Sequence, residues 1–293
     1  MNTSFLPGTQ QQFAWDSTSL SALMRCPRYY QWSIIDGWVP KHDIPALEFG
    51  IAYHACHEDI AFLCSIGYSL DAAIHGALLH AMQSMPRLDD KARNHTSLAR
   101  AIVWYYETYS ADVLQTVHLA NGKPATELSF RFPLTEDTLL CGHLDKVVSF
   151  GDELFILDYK STTMQLYSSY FDKYSPDNQM SLYSVAGQVV LAKPVSGVLI
   201  DATQLGVTFA RFARGFANRT PAHLDEWQAA IIHHWLPYAE RCAASRFWPA
   251  NETACSMYGG CRFRRICASD PSVRTMFLEA DFTRRVWDPL QSR

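Results

Sequence analysis

Three residues carry the chemistry worth locating first. Asp145 closes the segment Gly142-His143-Leu144-Asp145, and Asp158 and Lys160 stand two apart in Leu157-Asp158-Tyr159-Lys160. Side chains two apart on a strand share a face, so Asp158 and Lys160 point the same way. A turn at Gly151-Asp152 folds the strand carrying Asp145 back beside the strand carrying Asp158. Two carboxylates on one face repel each other unless a cation lies between them. Oxygen donors of this kind suit magnesium or manganese. A lysine beside such an ion can orient or deprotonate an attacking water. Asp and Lys at strand ends are also ordinary surface residues, and D-x-K alone has many chance matches. The context adds weight: the pair follows the apolar run Phe155-Ile156-Leu157, and an upstream strand supplies a second Asp.

The elements that must position these residues follow from hydrophobic periodicity. Ser17 or Ser19 can cap a helix to about residue 32. Further helices are expected over 46–65, 70–84 and, as one long element, 90–118. The period then changes to two: Leu128, Phe130 and Phe132 alternate with Glu127, Ser129 and Arg131, which predicts a strand over 126–132. Strands are also expected over 139–149 and 154–160, the last apolar on both faces as a central strand would be. Pro176 and Asp177 open a helix to about 191. Strands follow over 195–202 and 205–212, then a helix over 221–246. The middle of the chain therefore reads β-β-β-α-β, with helices on either side. On the second helix, Leu47, Ile51, His54 and Glu58 form one stripe, expected to face the core. His54 there is either a core histidine paired with Glu58 or a metal ligand. Gln179 and Tyr183 are four apart and share a helix face.

With 293 residues, nearly half of them hydrophobic, the chain can bury a sizeable core. The net charge of -4 gives no global pull toward nucleic acid. Arginines cluster locally at 211 and 214, at 262, 264 and 265, and at 284 and 285; such clusters are solvated surface or phosphate contacts. No secretory signal and no membrane-spanning stretch are visible, so a cytoplasmic location with reduced thiols is expected. Cys56, Cys64, Cys141 and Cys242 then read as small buried hydrophobes. Cys255, Cys261 and Cys267 are spaced C-x5-C-x5-C, with Gly259-Gly260 between the first two, and Cys26 lies far upstream before Pro27. Four thiolates could hold zinc or an iron–sulfur cluster, though the tight knuckles usual for zinc are missing. Unrelated cysteines in a helical tail are the alternative. No G-x-x-x-x-G-K-[ST] loop occurs, so any helicase motor would be a separate partner.

The order Gly50-x-x-x-His54, Glu127, Gly142-x-x-Asp145, Asp158-x-Lys160 and Gln179-x-x-x-Tyr183 resembles the RecB-like branch of the PD-(D/E)xK nucleases. It is similar to the CRISPR-associated exonucleases and the AddB-type recombination nucleases, over residues 17–267. The resemblance implies an α/β restriction-endonuclease-like core, a central mixed sheet flanked by helices. A helical N-terminal arm (1–120) would precede the nuclease core (121–215), and a Cys-rich cap (216–293) would follow, all one integrated nuclease domain over 17–282. It implies metal-dependent hydrolysis of DNA, leaving 5′-phosphate and 3′-hydroxyl ends, in recombination, repair or phage DNA metabolism. His54, Asp145, Asp158 and the Tyr159 carbonyl would bind magnesium or manganese. Lys160 would act on the water, and Gln179 and Tyr183 would position the lysine or the scissile strand. Glu127 would support the site, sit by a second metal, or be merely solvated. Relatives in this branch hold a [4Fe–4S] cluster with one N-terminal and three C-terminal cysteines, as Cys26, Cys255, Cys261 and Cys267 would, with zinc as the alternative. The gap of five between Cys255 and Cys261 departs from the usual two. Aromatic and basic residues near these cysteines (Tyr29, Tyr30, Trp32, Arg262, Phe263) would either stack a threaded single strand or pack the cap. Two rival readings are a catalytically inactive DNA-binding or interaction module on the same fold, and a nuclease acting on RNA.

Overall fold

Asp16, rather than Ser17 or Ser19, caps the first helix. Its carboxylate accepts the Ser19 N–H at 3.1 Å, and the Ser19 hydroxyl closes a capping box from the third helical position. The computed structural model describes residues 4–42 and 44–291; the outermost ends of the expected arm and cap lie outside them. In chain order come β1 (Ala14–Trp15), α1 (Ser17–Arg25), α2 (Pro27–Tyr30), β2 (Trp38–Pro40), α3 (Pro45–Ser65), α4 (Leu70–Ser84) and α5 (His95–Thr108). Then follow β3 (Gln115–Thr116), β4 (Thr126–Pro133), β5 (Leu139–Phe150), β6 (Glu153–Thr162), α6 (Asn178–Leu191), β7 (Gly197–Leu205) and β8 (Ala210–Ala217). The chain ends with α7 (Pro221–Ala230), α8 (Leu236–Ser245), α9 (Arg264–Ala268), α10 (Arg274–Asp281) and β9 (Phe282–Arg284). The architecture is α/β, a mixed central sheet flanked by helices.

Two compact units share these elements. One gathers described residues 4–42, Phe130–Gly142 and 220–291; the other holds described residues 44–129 and His143–Arg219. In the first unit, the helix expected over 17–32 breaks at Cys26, which is extended at φ -167°, ψ 116°. Pro27 disfavours the helical conformation in the residue before it. The chain resumes as α2 and a π turn at Gln31–Ile35. A second π turn, Ile231–Trp235, joins α7 to α8 within the helix expected over 221–246. β2 pairs with β9, and Trp32, Trp38, Phe263, Ile266, Leu278 and Phe282 pack together.

In the second unit, β5 and β6 form an antiparallel hairpin, β6 and β7 run parallel through the α6 crossover, and β7 and β8 are antiparallel. One face of this sheet packs on Phe49, Ala52, Tyr53, Cys56 and Ile60 of α3 and on Leu98, Ala101, Ile102 and Tyr105 of α5. Each large apolar side chain buried there contributes about 1.5–3 kcal/mol. The buried stripe of α3 is therefore not the expected one: Leu47 and Ile51 are exposed. The long helix expected over 90–118 is also shorter. Asn94 and Ser97 form a capping box that starts α5 at His95, and Gln115–Thr116 leave the helix to pair with Ser149 and Val148. Cys64, expected to be buried, is exposed, whereas Cys56, Cys141 and Cys242 are buried.

Arg214 is not part of a solvated basic cluster. Its guanidinium donates to Asp201 Oδ2 at 2.8 Å, to both Asp112 oxygens at 2.9 and 2.6 Å, and to the Tyr105 hydroxyl at 3.1 Å. It also lies over the Tyr109 ring. This planar fork ties β7, β8, α5 and the turn after α5 together.

Candidate active site

Strand β6 brings Asp158 and Lys160 to one face, where α6 covers them. Gly187 lets the helix approach: a Cβ there would stand 2.8 Å from Ile156 Cδ1. Lys160 Nζ lies 2.8 Å from Asp158 Oδ1 and 2.7 Å from Oδ2, and it donates to Gln179 Oε1 at 3.0 Å. Gln179 Nε2 donates to the Tyr183 hydroxyl oxygen at 3.0 Å. The four residues thus form one hydrogen-bonded chain. Asp158 is completely buried, and Oδ2 accepts no hydrogen bond of good geometry among the described residues. Burial drives its carboxyl up to about 6; Lys160 opposes this and Asp145 adds to it. Burial disfavours the Lys160 cation, but Asp158 and then Asp145 outweigh it, so its pKa is raised and the ammonium persists at neutral pH. Burial, with Asp145 and Asp158 nearby, holds the Tyr183 hydroxyl protonated.

Asp145 stands one residue before the first β5 residue paired with β6, where Lys146 faces Leu157. Its Oδ2 accepts the Tyr159 N–H at 3.0 Å and lies 3.2 Å from His54 Nδ1. Ligand atoms of His54, Glu127 and Asp145 all lie within 4.8 Å of one another. An imidazole and two carboxylates this close suit a divalent cation. Glu127 holds φ +46° inside β4, a left-handed conformation that costs a non-glycine residue about 1–3 kcal/mol and concentrates at functional sites. The His54, Glu127 and Asp145 donors fit a magnesium or manganese site; Asp158, expected as a further ligand, is held by Lys160 and is not part of that group.

His57, one turn after His54, was not singled out by its sequence context. It is a core histidine, stacked on Tyr159 with ring centroids 3.9 Å apart and 7° between planes. Tyr53 and Tyr105 meet it edge-on, and Nδ1 lies 3.2 Å from the Tyr106 hydroxyl. Burial holds its pKa well below the usual value, so the ring is neutral. The signal available was indirect: aromatics at 53, 105, 106 and 159 on elements that must pack together.

The raised Asp158 pKa gives a pH prediction. A folded-state pKa above the unfolded value contributes stability fully present below about 4 and lost as pH rises through about 6. In EDTA, wild type should lose on the order of 3 kcal/mol relative to Asp158→Asn between pH 4 and 7. Urea titrations across that range measure the difference; a flat difference removes the buried-carboxylate account.

In the first unit, Cys26, Cys255, Cys261 and Cys267 are each partly buried. The Asn251 N–H donates to Cys26 Sγ at 3.2 Å, and Arg28 donates to Cys267 Sγ at 3.3 Å. Burial raises the Cys261 pKa, with Arg25 opposing it and Cys26 and Cys255 close enough to add to it. Donors aimed at sulfur suit thiolate ligands. Among the described residues no three cysteine sulfurs lie within 4.8 Å of one another. Tyr30, Trp32 and Phe263 are buried, and Tyr29 packs against that cluster, its hydroxyl bonded to Arg262. These four aromatics pack the cap rather than standing free.

The model of the PD-(D/E)XK nuclease superfamily matches residues 15–268. The chain belongs to this superfamily, whose members are hydrolases acting on nucleic acid with divalent metals. A solved structure from Eubacterium rectale, described as a candidate exonuclease, superposes with a TM-score of 0.53 at 11% identity, covering 85% of this chain and 86% of that one. At that identity the likeness concerns the fold. No curated protein sequence matches the chain. No helix among the described residues is long and apolar enough to cross a membrane.

Proposed function

We propose that the protein is a metal-dependent DNA exonuclease acting on single strands, in recombination, repair or phage DNA metabolism. The observation that carries this reading is the meeting of His54, Glu127 and Asp145 donor atoms, together with the Asp158–Lys160 pair. His54, Asp145, Asp158 and the Tyr159 carbonyl would hold magnesium or manganese, which when bound supplies Lewis acidity and a more acidic water. Glu127 adds a further carboxylate. Lys160 would orient the attacking water or take its proton, and its charge would offset that developing on the phosphate oxygens. Gln179 fixes the lysine, and Tyr183 fixes Gln179. Cys26, Cys255, Cys261 and Cys267 would hold a [4Fe–4S] cluster. A helicase or recombination protein is the partner this reading suggests.

The test is purified protein with magnesium or manganese on end-labelled linear and closed circular DNA, single- and double-stranded. Linear single strands should disappear much faster than intact duplex, circular single strands should be cut slowly, and binding should weaken steeply with salt. Circles cut as fast as linear DNA would establish an endonuclease. DNA binding with no cleavage in either metal would favour an inactive binding module.

A further inference from the structure

Gln179 holds Lys160, yet α6 by itself holds Gln179 only loosely. Gln179 is the second residue of that helix. The first four N–H groups of an α-helix have no partner within it, so the opening turn is fixed by whatever meets it from outside. Asp177 supplies one hold, accepting the Met180 N–H at 3.0 Å. Arg219 supplies the other. It lies two residues after the end of β8 and belongs to none of the motifs or basic clusters of the sequence. Its Nη2 donates to the Tyr174 carbonyl at 2.7 Å, and its Nε donates to the Ser181 hydroxyl at 3.2 Å. Its Nη1 donates to the Ser175 hydroxyl at 3.2 Å and to the Asn218 carbonyl at 3.0 Å. Ser181 in turn donates to the Asp177 carbonyl at 2.9 Å. One guanidinium therefore brackets Gln179 from both sides, at 174–175 before the cap and at 181 after it.

A cation is poorly placed here on electrostatic grounds. The start of a helix carries the positive end of its dipole. Burial lowers the Arg219 pKa from its ordinary value, with Asp177 opposing. All four acceptors are neutral groups. What the residue supplies is a rigid planar fork with donors in several directions, which lysine lacks. Among the described residues Arg219 bonds to neither Gln179 nor Lys160, so it acts on them through the helix turn.

We propose that Arg219 is a positioning residue for the reaction: by fixing the opening turn of α6 it sets Gln179 against Lys160 and so holds the ammonium beside Asp158. This inference rests on the nuclease reading above and adds to it a residue from outside the site.

Arg219→Ala, Arg219→Lys and Gln179→Ala test it, each arginine variant also being combined with Gln179→Ala. Initial rates on a linear single-stranded oligonucleotide in manganese give kcat and KM. Arg219→Ala should lower kcat about 10–100-fold, the scale of an ångström-sized misplacement, with KM within about twofold of wild type. Arg219→Lys keeps the charge and loses the fork, and should fall nearly as far. Guanidinium at a non-denaturing concentration should restore part of the Arg219→Ala rate, and sodium at equal ionic strength should not. Each double variant should be no slower than Gln179→Ala alone, because both residues act along one line. Should Arg219→Ala fail to fold, Arg219→Lys carries the same comparisons. A second readout needs no turnover. The Lys160 ammonium of isotope-labelled protein, assigned by its loss in Lys160→Ala, should give a proton–nitrogen NMR signal that is shifted or lost in the Arg219 variants and in Gln179→Ala alike. Rate losses that multiply in the double variants would overturn the proposal, as would a wild-type kcat and lysine signal in Arg219→Ala. Wild-type protein that cuts no DNA, while its lysine signal still depends on Arg219, would sink the nuclease reading and leave the coupling standing.

Discussion

Lys160→Ala protein is expected to degrade end-labelled DNA at least ~10³-fold more slowly than wild type, within the range for losing a positioned proton donor or charge stabiliser. The ammonium sits between Asp158 and Gln179 at 2.7–3.0 Å, and among the described residues no other cation contacts these two. Asp145→Ala and Asp158→Asn should lose activity to a similar degree, and EDTA should mimic them, because on the proposed reading these carboxylates hold the metal. Asp158 needs the asparagine rather than alanine. It is fully buried, and deleting it would leave Lys160 without its partner, a loss that costs about 3–5 kcal/mol for buried pairs. Thermal melts of each variant separate lost chemistry from lost fold. Wild-type cleavage by a folded Lys160→Ala protein would remove this site from the reaction.

Protein purified without oxygen is expected to be brown, with broad visible absorption and bound iron and sulfide. Serine at Cys26, Cys255, Cys261 or Cys267 should lower iron content and Tm together. The cluster would join Cys26, near the start of the chain, to three cysteines near its end, and closing so long a loop restricts the unfolded chain most. Cys56→Ser and Cys242→Ser are controls. Both residues are buried, so serine will cost some stability there, but iron content should stay at the wild-type level. A colourless protein holding one zinc ion per chain would overturn the cluster.

Elements that obey one strong local rule were legible. α4 runs over Leu70–Ser84 as its periodicity requires, and Asp177 caps α6 just after Pro176. The β-β-β-α-β order followed from the change of period near residue 126. The carboxylates, the lysine and Gln179 could be gathered on paper because strand alternation and helix spacing act at short range. What failed depended on long-range packing. α3 is apolar on several sides, so its pattern did not reveal that Phe49, Tyr53 and Cys56 face the core while Leu47 and Ile51 face outward. Arg214 looked like surface because Asp201, Asp112 and Tyr105 come from distant parts of the chain. Tyr30, Trp32 and Phe263 could have served packing or stacking, and only the fold decides between uses of an aromatic ring.

The parallel stack of His57 on Tyr159 has a consequence for how the sequence can vary. α3 carries His54 and β6 carries Asp158, and where they face each other the spacer is two flat rings, 3.9 Å between centroids. A branched or tetrahedral side chain at either position is thicker than a ring and would push the helix off the strand, carrying His54 away from Asp145. A small side chain would let the two collapse. Positions 57 and 159 should therefore accept change only as a pair that conserves combined thickness. Among homologues this predicts covariation of two residues that bear no ligand of their own on their side chains. In laboratory evolution it predicts that a lesion at one will be repaired by a compensating ring at the other.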